Sequence, residues 1–325
     1  MMQNILEQAQ NILLVSHVQP DGDAIGALMA LGPSLEARGK KVVMYNEDGL
    51  PPAFAFLPGA ERITRDPGPL QVFDTLVVLD SGDAGRMGVL QPELEKIPRI
   101  LNIDHHPSNT AFGVSNLIDP DAAATTVLIY RLLKGLNWPI PREAAWGIYT
   151  GIFTDTGGFR FGNTNTEALS IAAEMTILGV HPETVARHVY GKYSFAYIRL
   201  LQKALNSIRL SASGRLASMV LTRAMIEESG ADDTEASGLV NYARQIEGVE
   251  MAALIREKEN APGSPPSYKV SLRSNGRMDA TRIALRFGGG GHRAAAGFPI
   301  AMEPEEILRV LEEDMAAQES QSDHS

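Results

Sequence analysis

The chain has 325 residues, a formal net charge of −10 and no cysteine, which excludes a disulfide framework and thiolate metal sites and makes a reducing cytoplasm the expected compartment. Its 44% hydrophobic and 21% charged residues are ordinary for a globular protein, and the length suits two domains that each bury a core. The first residues carry no basic n-region, and the apolar run 12–15 is too short for a signal core or a membrane span, so no membrane partner is expected.

Short apolar runs rich in β-branched residues predict strands at 11–16, 41–45, 75–79 and 99–103. Between the first two, helical spacing over 24–38 ends at Gly39, a suitable C′ residue. Strand–helix–strand alternation implies a parallel sheet covered by helices on both faces. From 122 to 191 the pattern is helical, with Asp119 and Asp121 expected as caps. Thr164-Asn165-Thr166-Glu167 reads as a capping box for a helix that Gly179 closes. The helical pattern at 195–208 is expected as a connector. Strands follow at 216–221, 250–256 and 268–273, with a helix near 235–246 and a Pro/Gly/Ser-rich turn at 260–267. A final helix at 305–315 has Pro304 in its first turn, and the end is polar. The expected fold is therefore α/β. A parallel-sheet domain spans 1–192, a helical connector 193–210, a smaller mixed α/β domain 211–317, and a polar tail 318–325.

Three predicted strands end in groups that bind metals. The first runs into His17, Asp21 and Asp23, the third into Asp80, and the fourth into Asp104-His105-His106. The carboxyl ends of parallel strands share one edge, so these groups can converge. With Asp155 they make a set of imidazoles and carboxylates without sulfur, which suits Mn²⁺ or a similar divalent ion. Gathered carboxylates repel unless cations neutralise them. A pair of ions would do so, and would activate water and polarise a phosphoryl group. No Gly-x-Ser-x-Gly elbow and no Walker-type Gly-Lys-Ser/Thr offers an alternative. The bland readings differ by residue. His181, His188 and His324 read as surface or capping residues, and Asp83 as a turn residue, whereas three polar residues directly after an apolar strand do not.

Charge is uneven along the second half. Residues 251–300 hold eight Lys/Arg and three acids, and residues 301–325 hold one arginine and eight acids. A basic segment inside an acidic protein suits a small anion or a very short oligonucleotide, not long duplex nucleic acid. Within it, Gly288-Gly289-Gly290-Gly291-His292-Arg293 lies between a helical and a strand-like segment, where glycines let backbone N–H groups approach a phosphate. Arg273, at the end of a predicted strand, is the expected partner of a phosphate or stacked base.

These motifs resemble the DHH phosphoesterase superfamily along nearly the whole chain, and the glycine run resembles its DHHA1 substrate-binding domain. The resemblance implies one metal held by His17, Asp21 and Asp80 and a second by Asp23, Asp80, His105 and Asp155, with Asp80 bridging. It implies that His106 faces the phosphate, that Asp104 orients a histidine, and that Arg273, Gly289, Gly290, Gly291, His292 and Arg160 contact substrate. The compact arrangement lacks the extra barrel of RecJ-type exonucleases and the spans of membrane-bound cyclic-dinucleotide enzymes. Its glycine signature is not that of family II pyrophosphatases. It is most similar to the bifunctional oligoribonuclease/pAp phosphatase group. The implied activity is Mn²⁺-dependent hydrolysis of very short RNA and of pAp, with substrate between the domains. A soluble phosphodiesterase for linear or cyclic dinucleotides is the alternative, followed by a non-catalytic nucleotide-binding protein. A homodimer is one candidate assembly.

Overall fold

The computed structural model describes residues 1–191, 193–259 and 266–322. Most of the turn expected at 260–267, the end of the polar tail and His324 lie outside them. The chain divides into two compact units, Met1–Lys192 and Tyr193–Ser325.

The first unit is a five-stranded, wholly parallel sheet of β1 (Asn11–Ser16), β2 (Lys41–Tyr45), β3 (Thr75–Leu79), β4 (Ile100–Asp104) and β5 (Ser115–Ile118), ordered β2-β1-β3-β4-β5. Alternate strand residues enter two cores, as the period of two requires. Ile12, Leu14, Val77, Leu79, Leu101 and Ile103 pack on one face. There they meet α1 (Met2–Gln8), α2 (Gly22–Glu36), α4 (Thr125–Gly135), α5 (Arg142–Asp155), α6 (Thr166–Ile177) and α7 (Pro182–Val189). Leu13, Val15, Leu76 and Val78 face the other way, under Phe73, the 3-10 turn Ala84–Met87 and the one-turn helix α3 (Gln91–Leu94). Fifth strand β5 was not expected. Its four residues (SNLI) are only half-buried at the sheet edge and carry no apolar run.

Helices α2 and α5 cross closely because glycines line the contact. A Cβ on Gly147 would lie 2.6 Å from the Gly26 carbonyl oxygen and 2.8 Å from Ala30 N. Gly147→Ala is expected to lower stability by about 1–3 kcal/mol through backbone displacement, read as a reduced urea midpoint at unchanged slope.

Two local expectations are corrected. Asn165, not Thr164, caps α6, its side chain accepting from Ala168 N; Glu167 instead pairs with Arg131. Asp119 does not cap α4: it accepts from Asp121 N and pairs with Arg131.

The second unit opens with α8 (Phe195–Asn206). This helix, expected as a connector, buries Tyr197, Leu200 and Ala204 in the unit's own core. Strands β6 (Arg209–Leu210), β7 (Leu216–Leu221), β8 (Met251–Glu257), β9 (Tyr268–Ser274), β10 (Gly290–His292) and β11 (Ala295–Ile300) form a mixed sheet ordered β10-β11-β9-β8-β7-β6. Only β7 and β8 pair in parallel. Helices α9 (Arg223–Ser229) and α10 (Val240–Arg244) join α8 on one face. Helices α11 (Ala280–Arg286) and α12 (Pro304–Ser322) cover the other. The acidic end of the chain is more than a solvated helix face. Ile307, Leu311 and Met315 are buried, Asp314 pairs with Arg286, and the Gln318 side chain exchanges hydrogen bonds with the Asp279 backbone.

Candidate metal centre

In order 2-1-3-4-5 the chain direction of strand addition reverses between β1 and β3, and ligands of such sheets gather at the carboxyl ends beside that point. The first unit follows this rule. His17 leaves β1, Asp80 leaves β3, and Asp104-His105-His106 leaves β4. Asp21 caps α2, its Oδ1 accepting from Asp23 N and Ala24 N at 3.1 Å. Asp155 ends α5.

These residues form three groups whose ligand atoms lie within 4.8 Å of one another: His17–Asp21–Asp80, Asp23–His105–Asp155 and Asp80–Asp104–His106. His17 Nε2 is 3.5 Å from Asp80 Oδ2 and 3.8 Å from Asp21 Oδ1. His105 Nε2 is 3.1 Å from Asp155 Oδ2, 3.8 Å from Asp80 Oδ1 and 4.0 Å from Asp23 Oδ2. The two Asp80 oxygens thus face different histidines. Its backbone is left-handed at φ 56°, an unfavourable conformation for aspartate that a functional site can retain.

Each histidine is oriented from behind. His17 Nδ1 lies 2.8 Å from the Val18 carbonyl and His105 Nδ1 3.1 Å from that of Ala122, so both present Nε2 to the carboxylates, as metal-binding imidazoles usually do. His106 differs: its Nδ1 is 2.7 Å from Asp104 Oδ1. Asp104 is fully buried and accepts from Asn109 Nδ2 at 2.6 Å through its other oxygen. That is the geometry of an oriented acid–base pair.

The electrostatics call for added positive charge. Burial works to lower the His17 pKa, but Asp21 and Asp80 lift it to about 10. Burial opposes ionisation of Asp80 too, yet His17 holds its carboxyl far below the usual range. Burial, with Asp80 and Asp155 nearby, raises Asp23 well above that range. Burial likewise pushes Asp155 up to about 6 despite His105. A divalent ion among these carboxylates would offset their mutual repulsion. Oxygen-rich ligands with imidazole nitrogen and no sulfur fit a first-row divalent ion.

The sequence did not single out the threonines that steady this cluster. Thr125 Oγ1 donates to Asp80 Oδ1 at 2.8 Å, and Thr126 Oγ1 to Asp23 Oδ1 at 2.9 Å. The backbone N–H groups of Thr125 and Thr126 also donate to Asp23, at 2.5 and 3.2 Å. Asp23, from α2, thereby takes the capping role at α4 that was expected of Asp119 and Asp121. A Cβ on Gly151 would lie 2.4 Å from both Asp23 Oδ1 and Thr126 Oγ1, so that glycine makes room for the contact. The signal was available as a Thr-Thr pair opening a helix. Its partner, however, is about a hundred residues away. Thr125→Val should keep the fold and weaken metal binding about tenfold, read by titration of the apoprotein with Mn²⁺.

In the second unit the β10–β11–β9 register aligns His292 with Ala295 and Ala295 with Arg273. The two candidates therefore share one cross-strand row, with a small residue between them. Arg273 forms no ion pair among the described residues; its Nη1 donates to the Leu272 carbonyl at 2.9 Å. Burial, then the nearby Arg244, depresses its pKa. The glycine run is partly a strand. A Cβ on Gly289 would lie 2.1 Å from the Gly297 oxygen, and one on Gly291 2.4 Å from the Ala295 oxygen. Close strand approach thus accounts for both, whereas a Cβ on Gly290 would meet nothing within 4 Å.

Residues 11–152 match the N-terminal domain of the DHH family and residues 216–317 the DHHA1 domain. A curated relative, the bifunctional oligoribonuclease and PAP phosphatase NrnA of Thermus thermophilus, is 36% identical over 289 residues, 88% of this chain and 83% of that one. The chain belongs to the DHH family. The DHH match covers the candidate metal cluster except Asp155, and the DHHA1 match covers the Arg273–His292 row. NrnA of Bacillus subtilis is 26% identical over 93% of each chain. Among solved structures, an exopolyphosphatase-related protein from Bacteroides fragilis superposes with a TM-score of 0.88 at 28% identity, covering 97% of this chain and 94% of that one. The chain is a phosphoester hydrolase of a metal-dependent family.

The remaining candidates have local partners. Arg160 is exposed; its Nε donates to the Gly157 carbonyl at 2.5 Å and its guanidinium lies over Tyr190. His188 bonds the Thr184 carbonyl and stacks on Phe56, and His181 meets Trp146 edge-on. Asp83 caps the 3-10 turn through Gly85 N, a turn residue as expected. No helix among the described residues is long and apolar enough to cross a membrane.

Proposed function

We propose that this chain is a Mn²⁺-dependent phosphoesterase with two bound ions, which releases mononucleotides from very short RNA and 3′-dephosphorylates pAp. The observation that carries the two-ion reading is the division of Asp80 between His17 and His105, each with further carboxylates of its own. One ion would be held by His17, Asp21 and Asp80, the other by Asp23, Asp80, His105 and Asp155. When bound, such a pair supplies Lewis acidity and activated water for in-line attack on phosphorus. The chain's own groups do the rest. Asp104 fixes Nδ1 of His106, so Nε2 is the nitrogen that hydrogen-bonds the phosphoryl oxygen or carries a proton to the leaving group. The Asp21 side chain is 60% exposed, which leaves that side of the cluster open to substrate.

Arg273, His292 and the backbone at Gly290 supply the substrate contacts of the DHHA1 unit. A local Arg–His row in a chain of net charge −10 favours a short nucleotide over a long duplex. The relatives named as oligoribonuclease and PAP phosphatase support the same substrate class. The chain is proposed to work in the cytoplasm, and a homodimer is its candidate assembly. A substrate panel with Mn²⁺ tests the reading, comparing RNA of two to five nucleotides, longer single strands, pAp and c-di-AMP with products resolved by length. Turnover is expected for the shortest RNAs and pAp. Preference for c-di-AMP or for long strands would overturn the substrate assignment.

A further inference from the structure

The metal cluster leaves one adjacent cation without a role. Arg86 sits in the 3-10 turn after β3, and its backbone carbonyl accepts from Val18 N at 2.8 Å. That bond ties the turn to the loop carrying His17 and Asp21. The Arg86 Nη2 lies 3.1 Å from His17 Nδ1, one imidazole width from the nitrogen that faces Asp21 and Asp80. The side chain is exposed, and among the described residues no carboxylate pairs with it. A guanidinium against the back of a histidine that faces two carboxylates, itself paired with no carboxylate, is placed for an incoming anion.

A guanidinium only donates. When Nε2 of His17 holds a metal ion, Nδ1 carries the ring proton and donates to the Val18 carbonyl 2.8 Å away. Nδ1 then cannot accept from Arg86, whose donors are left for an incoming group. A phosphoryl group brings several acceptor oxygens in the geometry that guanidinium matches best.

We propose that Arg86 is a substrate-binding residue of the DHH unit, donating to non-bridging oxygens of the phosphoryl group that is hydrolysed. The inference rests on the phosphoesterase reading but not on the identity of the nucleotide. The test uses the full chain loaded with Mn²⁺, comparing wild type, Arg86→Ala and Arg86→Lys. Inorganic phosphate binding is measured by calorimetry, Mn²⁺ affinity by electron paramagnetic resonance, and kcat/KM with the best substrate of the panel. Arg86→Ala should weaken phosphate binding tenfold or more and lower kcat/KM by about 10²-fold, with Mn²⁺ affinity within twofold of wild type. Arg86→Lys should recover part of the phosphate affinity, having charge without the fork. Unchanged phosphate affinity in Arg86→Ala overturns the proposal. So does a parallel loss of Mn²⁺ affinity, which would make Arg86 a support for His17. A wild type that binds phosphate through Arg86 yet cleaves neither short RNA nor pAp would refute the substrate assignment alone.

Discussion

Asp80→Asn is expected to lower kcat by at least on the order of 10³-fold and to reduce the number of Mn²⁺ ions bound. The asparagine keeps an oxygen for the Thr125 hydroxyl, which donates to Asp80 Oδ1 at 2.8 Å, so the local fold should survive. What it loses is the second anionic oxygen, and with it one of the two directions in which Asp80 faces a histidine. The cost follows from that geometry. Other carboxylates of the cluster each belong to one group with one histidine, whereas Asp80 belongs to groups containing His17 and His106 and also faces His105. Metal stoichiometry measured alongside single-turnover kinetics checks the prediction, with urea unfolding as the control for folding. Wild-type rates with Mn²⁺ in this variant would sink the two-ion reading.

His106→Ala should separate chemistry from metal loading. His106 is held through Nδ1 by the buried Asp104, so the variant should bind Mn²⁺ as wild type does. It should lose about 10²–10⁴-fold in kcat, the range of a missing general acid–base group. Asp104→Asn should fall between the two, at about 10–100-fold, because the imidazole remains but its tautomer and direction are no longer imposed. Together the pair gives a pattern that a shared metal-ligand role for His105 and His106 does not predict, since loss of a ligand would lower Mn²⁺ affinity as well. Equal loss of Mn²⁺ affinity and rate in His106→Ala would place His106 among the ligands.

Much of the DHH unit was legible because its strands are buried on both faces and therefore appear as continuous apolar runs. The first three strands match their expected spans residue for residue. β5 was invisible for the complementary reason: a half-buried edge strand needs few apolar residues. The capping signals misled where more than one polar residue was available. Asn165 won over Thr164, and a carboxylate from α2 won over two aspartates adjacent to α4. The connector reading of 195–208 failed to anticipate that its apolar face, Tyr197, Leu200 and Ala204, has a core of its own to enter. Periodicity shows that a helix has a buried face and not what it is buried against.

By itself the sequence determined the family and the candidate groups. Polar residues of costly types placed directly after apolar strands mark the candidate metal-binding groups, and the rule that parallel strands share a carboxyl edge brings them together. Only the tertiary structure decided how those groups divide. Which oxygen of Asp80 faces which histidine, that Asp23 closes the N-terminus of α4, and that Thr125 and Arg86 stand beside the cluster all depend on contacts across loops and helices far apart in the chain. Strand patterns carry local burial, which follows a residue's own neighbours. Hydrogen-bond partners at a site are set by backbone directions at helix ends and sheet edges, which exist only once the chain has folded.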